Sequence, residues 1–140
     1  MRTAVNQNVA VLLDDGESVM DGIAKACEQA GTDSAMVLSG IGMMREVELG
    51  YWNGREYELH SFESPMELLS LGGSFAMLEG SPSVHLHAAL ADGSHMVMGG
   101  HLSRGVVHNI NEIALAPFGR GMFARKYSER TRLNMLQFTR

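Results

Sequence analysis

The stretch "REVELGYWNGREYELHSF" at 45–62 alternates apolar and polar residues on both sides of Asn53-Gly54, a period that suits a strand and not a helix. Two strands joined by so short a link must run antiparallel, so this segment commits the chain to a sheet. Side-chain parity then constrains the link. A two-residue turn at Asn53-Gly54 sets Tyr51 opposite Glu56 and Leu49 opposite Glu58, which mixes the faces. A three-residue loop, 53–55, sets Tyr51 opposite Tyr57 and Leu49 opposite Leu59. Where one face is buried a one-residue slip turns every side chain over, so the odd loop is expected.

The remaining strands read similarly. Residues 5–13 form a first strand, and 35–39 a second that ends in the "GIG" of 40–42. "ELLSLGGSFAMLEG" is strand-like, with a bend or bulge expected at Gly72-Gly73. Segments 84–90 and 96–102 pair around "ADGSH", a longer strand at 105–116 stops at Pro117, and 133–138 is the last. One helix stands out. Asp15 or Ser18 offers an N-cap, Val19, Ile23, Ala26, Cys27 and Ala30 recur at helical spacing, and Gly31 sits where a C′ glycine belongs. The expected fold class is α+β, a predominantly antiparallel β-sheet flanked by a few helices. With 140 residues it is a single domain, 1–140.

Composition excludes some functions. Apolar residues are 45% of the chain, yet no run approaches the roughly 20 residues that cross a bilayer, so no membrane partner is expected. The N-terminal apolar stretch is short and runs into Asp14-Asp15, unlike a signal peptide, and a cytoplasmic location is expected. The single cysteine, Cys27, lies on the apolar helix face, where packing is its expected role. Net charge is −5 but uneven: 118–140 holds 6 bases and 1 acid, leaving 5 bases and 15 acids in 1–117. This basic tail either pairs with the acidic body or meets an anionic partner.

Four of the 6 histidines fall in "SVHLHAALADGSHMVMGGHL", 83–102. His85 and His87, two apart on a strand, leave the same face roughly 7 Å apart at Cα, which lets both rings converge on one ion. A third ligand must come from elsewhere, and His101 is the candidate. If 92–94 is a three-residue loop, His101 lies opposite His85 on the shared face; otherwise a bulge at Gly99-Gly100 must reset it. The competing reading is a polar sheet face on which each ring is satisfied by its neighbours. His95, beside the turn, and His60, among glutamates, are expected at the surface. His108 shares a strand face with Glu112, a pair that could orient a metal ligand. The 11 methionines, Met43, Met44, Met77, Met96 and Met98 among them, are read as core filler rather than soft ligands.

Taken in order, "SGIGMMREVELGYW", "MELLSLGGSFAMLEGSPSVHLHAALADG", "MVMGGHLSRGVV" and "RKYSERTRLNMLQF" resemble the plants-and-prokaryotes-conserved (PPC) domain over nearly the whole chain. The resemblance implies an antiparallel sheet flanked by helices and assembled as a homotrimer. It also implies a bound metal, zinc foremost, on His85 and His87 of HLH and His101 of GGHL. Plant members carry an AT-hook. This chain has only "GRG" at 119–121, without the proline and flanking bases, so the DNA-binding role associated with the family transfers poorly. A cupin barrel also places His-x-His on a strand but adds a glutamate shortly after, where "HLHAALADG" has none.

Three functions compete. A metal-dependent enzyme or small-molecule binder would leave one coordination position open on Zn2+ or another divalent first-row ion. Glu112 is then the candidate catalytic acid or base, and tail residues such as Arg125 would contact a small anionic ligand. A DNA binder would use Arg120, Arg125 and Lys126, against an acidic net charge that disfavours it. A structural interaction module would use the metal or the trimer only for stability.

Overall fold

A computed structural model describes residues 1–5 and 7–139, so Asn6 of the strand expected over 5–13, and Arg140 of the basic tail, lie outside the described residues. That first strand is two: β1 (Arg2–Val5) folds back on β2 (Val9–Asp14), with Val5 opposite Val9. Helix α1 (Val19–Gln29) follows, and among the described residues it is the only helix, not one of a few. The Ser18 side chain caps it by accepting from the Asp21 amide at 3.3 Å. At its end Thr32 N donates to Cys27 O and Gly31 N to Glu28 O, a Schellman closure that the left-handed φ of 68° at Gly31 permits. Val19, Ile23, Ala26 and Cys27 are buried against the sheet, as the spacing predicts.

Two expected pairs of separate strands turn out to be single long ones. β3 (Ala35–Trp52) runs on through the GIG, and β7 (Val97–Pro117) runs through Gly105. Between them come β4 (Tyr57–Phe62), β5 (Met66–Leu78) and β6 (Ser81–Ala91); β8 (Phe123–Ser128) and β9 (Leu133–Phe138) close the chain. β8 is a strand beyond those expected, since "FARKYS" carries little apolar alternation.

β3 pairs antiparallel with both β5 and β7, and β6 pairs antiparallel with the same two. These four strands therefore close a ring of backbone ladders. Long strands close a ring only if they bend. The β3–β7 ladder shifts register at Val37/Ser39, Gly42/Met44, Arg45/Glu48 and Glu48/Leu49, with Glu46 at φ 50°. Leu71, Leu86, Leu90, Leu102 and Val107 fill the core within the ladders, each at most 1% exposed. Burying each such leucine stabilises the fold by about 1.5–3 kcal/mol. Outside the ring, β8 joins β5 in parallel, with Leu78 opposite Arg125, and β9 pairs with β8.

Both expected loops depart from the structure. β4 meets β3 with Trp52 opposite Tyr57, Tyr51 opposite Glu58 and Leu49 opposite His60, so the link is the four residues 53–56. Asn53 Oδ1 accepts from the amides of Arg55 and Glu56 and stabilises this longer turn. Burial does not fix the parity here, because β4 reaches the core only through Phe62 at its end while Leu59 is 54% exposed. Nor do Gly72 and Gly73 make a bulge. The ladder passes through Gly72–His87 and Gly73–Leu86 without a shift. A Cβ at Gly73 would lie 1.9 Å from the His85 carbonyl oxygen, so glycine serves close approach there.

Candidate metal centre

Period-two alternation on β6 builds the site. Leu86, Ala88 and Leu90 face the core at 0, 6 and 0% exposure, which sends His85 and His87 to the opposite face. On β7 Leu102 takes the core side and His101 the other. The connection runs from Ala91 to Val97, five residues where three were expected, but still odd. Parity therefore brings His101 to the shared face, directly opposite His87 rather than His85. No bulge at Gly99-Gly100 is needed.

The three rings face one another, with centroids 5.1 Å (His85–His87), 5.0 Å (His85–His101) and 5.8 Å (His87–His101) apart. One nitrogen from each lies within 4.8 Å of the others. A tetrahedral zinc at about 2.0–2.1 Å would draw nitrogens to about 3.3 Å separation, a matter of small ring rotations. A buried atom supports the fit. His101 Nδ1 is shielded from solvent and has no hydrogen-bond partner among the described residues, a cost that coordination would relieve. Two of the rings are held toward the neutral form, which leaves lone pairs for a cation. Burial, and then the neighbouring Arg125, lowers His85 to about 4, and burial also lowers His101. The donor set has three imidazoles and no thiolate, since Cys27 is buried under the helix with its thiol pushed up to about 12 by burial.

The rings line a cavity of about 880 Å³. Tyr57 stacks on His101 at 4.3 Å and 22°, with Trp52 tilted against Tyr57 at 5.2 Å. No sequence motif marked these aromatics as neighbours of the histidines, because the contact depends on the β3–β4 register. Arg125 enters from β8, only 9% exposed. It donates through Nη1 to the Asn134 carbonyl at 2.9 Å and through Nη2 to Ser74 Oγ at 2.6 Å. Ser74 is in turn the register partner of His85.

Glu112 is not brought to this cavity. It is exposed, eleven residues along β7 from His101, with its backbone paired to Leu12 and Ile41. At about 3.3 Å per residue a nearly continuous strand carries it far from the rings. His108 has other company as well: its Nδ1 lies 3.1 Å from Arg45 Nη1 and 3.8 Å from Asp15 Oδ1. His95 and His60 are exposed, as expected. Met44 is buried, but Met96 is 64% exposed and fills no core.

Among curated proteins, none matches the chain in sequence. Solved structures do. A plant- and prokaryote-conserved (PPC) protein from Pyrococcus horikoshii is 26% identical, with 99% of this chain and 96% of that one aligned at a TM-score of 0.86. A metal-containing protein from Archaeoglobus fulgidus is 29% identical over 97% of this chain and 96% of that one, at 0.82. A protein from Bacteroides thetaiotaomicron named as a candidate DNA-binding protein is 21% identical over 98% and 96%, at 0.87, a likeness of fold alone. The model of the Plants and Prokaryotes Conserved domain matches residues 2–119, which contain the whole strand ring and all three clustered histidines, and the chain belongs to that family.

Proposed function

We propose that the protein binds a divalent first-row metal through His85, His87 and His101 and uses it on a small molecule held in the adjoining cavity. One observation carries this reading: three imidazole nitrogens within 4.8 Å of one another on the wall of a cavity of about 880 Å³. Three protein ligands leave a fourth position open, as catalytic zinc sites do and closed structural sites do not. Zinc is our leading ion, and the relative from Archaeoglobus fulgidus named as metal-containing supports a metal. When bound, such an ion supplies a Lewis acid and an acidified water. The chain's own residues hold and shield it: Tyr57 covers one face of His101, and β6 and β7 fix the ligands on one ladder. Among the described residues lining the cavity there is no aspartate or glutamate, so an acid–base role for Glu112 has no support in this geometry. We also read the protein as a cytoplasmic homotrimer, following the family resemblance, with light scattering at three chain masses as the check.

A DNA-binding role draws on fewer residues than the tail's charge suggests. Arg125 is buried, and Arg120 Nε donates to the Gly31 carbonyl at 3.2 Å. Binding of a duplex at low salt that is lost in the Lys126→Ala variant would revive that reading.

The test of the metal site is elemental analysis of protein purified without metal supplementation, beside His87→Ala. The parent should carry close to one ion per chain and the variant far less. Equal content in both would overturn the assignment.

A further inference from the structure

Among the described residues Arg125 is the most deeply buried arginine, and no acid there accompanies it. It is 9% exposed, and no carboxylate lies within ion-pair distance of it among the described residues. Burying a cation without a counter-charge costs several kcal/mol even after relaxation. Its two hydrogen bonds, to Asn134 O and Ser74 Oγ, are with neutral groups and use two of the five N–H donors. Nε is buried with no partner among the described residues. The guanidinium lines the same cavity as the three histidines, and through Ser74 it is one register pair from His85.

The cavity therefore holds the fixed positive charge of Arg125 beside the three rings and, among its described lining residues, no acid. A divalent ion on the rings would raise the total to three positive charges.

We propose that Arg125 is the anion-recognition residue of this cavity, and that the small molecule it takes carries a carboxylate or phosphate group. The planar fork of arginine matches both oxyanions. On this reading, which rests on the metal site proposed above for the ligand's other end, the molecule spans from the histidines to the guanidinium beside the Tyr57–Trp52 wall. The division of labour follows the chain. The histidines lie within the segment matched by the family model, 2–119, while Arg125, Asn134 and the rest of the β8–β9 hairpin lie beyond it. The family segment holds the ion and the C-terminal hairpin selects the anion.

The competing role is a staple, in which Arg125 merely ties β5, β8 and β9 together. Nuclear magnetic resonance separates the two on the unaltered protein. Inorganic phosphate and, separately, succinate are titrated into chelator-stripped and zinc-reloaded samples while the arginine Nε–H resonances are followed, with zinc content measured independently. The expected result is a saturable shift of the Arg125 Nε–H with at least one anion, tighter in the reloaded sample. The more effective anion identifies which oxyanion is preferred. Arg125→Lys, which keeps the charge but loses the fork, should bind that anion about tenfold or more weakly at unchanged zinc content. No saturable shift with either anion in a sample shown to hold zinc would overturn the proposal, as would full affinity in Arg125→Lys. If the parent holds no zinc yet the resonance still shifts, the metal reading fails and the anion site stands.

Discussion

The tandem glycines at 72 and 73 give two substitutions that look alike in sequence and should behave differently. At Gly73 a Cβ would stand 1.9 Å from the His85 carbonyl oxygen, 2.9 Å from its carbonyl carbon and 3.0 Å from Leu86 Cα, all backbone of β6. Ordinary contact begins at 3.4 Å, so Gly73→Ala requires β5 and β6 to separate there by about 1.5 Å. One or two ladder hydrogen bonds weaken, at a net cost of about 1 kcal/mol each, on top of about 1–3 kcal/mol for overpacking. We expect about 2–5 kcal/mol of destabilisation. For a domain of this length that lowers the melting temperature by about 6–15 °C. At Gly72 the nearest atom to a Cβ is Val37 O at 3.9 Å, so alanine fits. Gly72→Ala should be neutral, or stabilising by up to about 1 kcal/mol through a less flexible unfolded chain. Thermal denaturation of the two chelator-treated variants, followed by circular dichroism, measures the difference. Because the displaced carbonyl belongs to His85, Gly73→Ala should also retain less metal. Equal melting temperatures for the two variants would refute the close-approach reasoning.

Two further predictions concern titration. His85 is held near 4 in the fold against an ordinary 6.5, so between those values the unfolded chain takes up a proton that the folded chain refuses. Metal-free protein should therefore lose stability as pH falls from 6.5 toward 4, with a shallower slope in His85→Gln; urea denaturation at a series of pH values checks this. Cys27, buried with its thiol raised to about 12, should resist iodoacetamide in native protein at pH 8 and react only on unfolding.

The histidine cluster was legible because period-two alternation is a local rule. His85 and His87 fall two apart and must share a face, and any odd connection delivers His101 to it, so reading three loop residues instead of five did no harm. The β3–β4 link shows the limit of that rule. Its parity was inferred from burial, and β4 is exposed, so the hydrogen-bonding needs of Asn53 set the length instead. Arg125 was visible only as one charge in a basic tail, and its burial follows from a parallel β5–β8 contact that nothing local announces. Glu112 was chosen by its proximity along the strand to His108. The face they share runs along a 21-residue strand, which carries Glu112 away from the rings while His108 meets Arg45 and Asp15.

The cyclic arrangement of β3, β5, β6 and β7 bears on how an ion would come and go. In an open sheet, an edge strand can peel off and take its ligands with it. Here β6 and β7 are each gripped from two sides, so neither backbone can drift without breaking ladders around the whole circuit. An ion taken by the three rings would then meet a backbone already set in place, with imidazole rotation as the adjustment left to make.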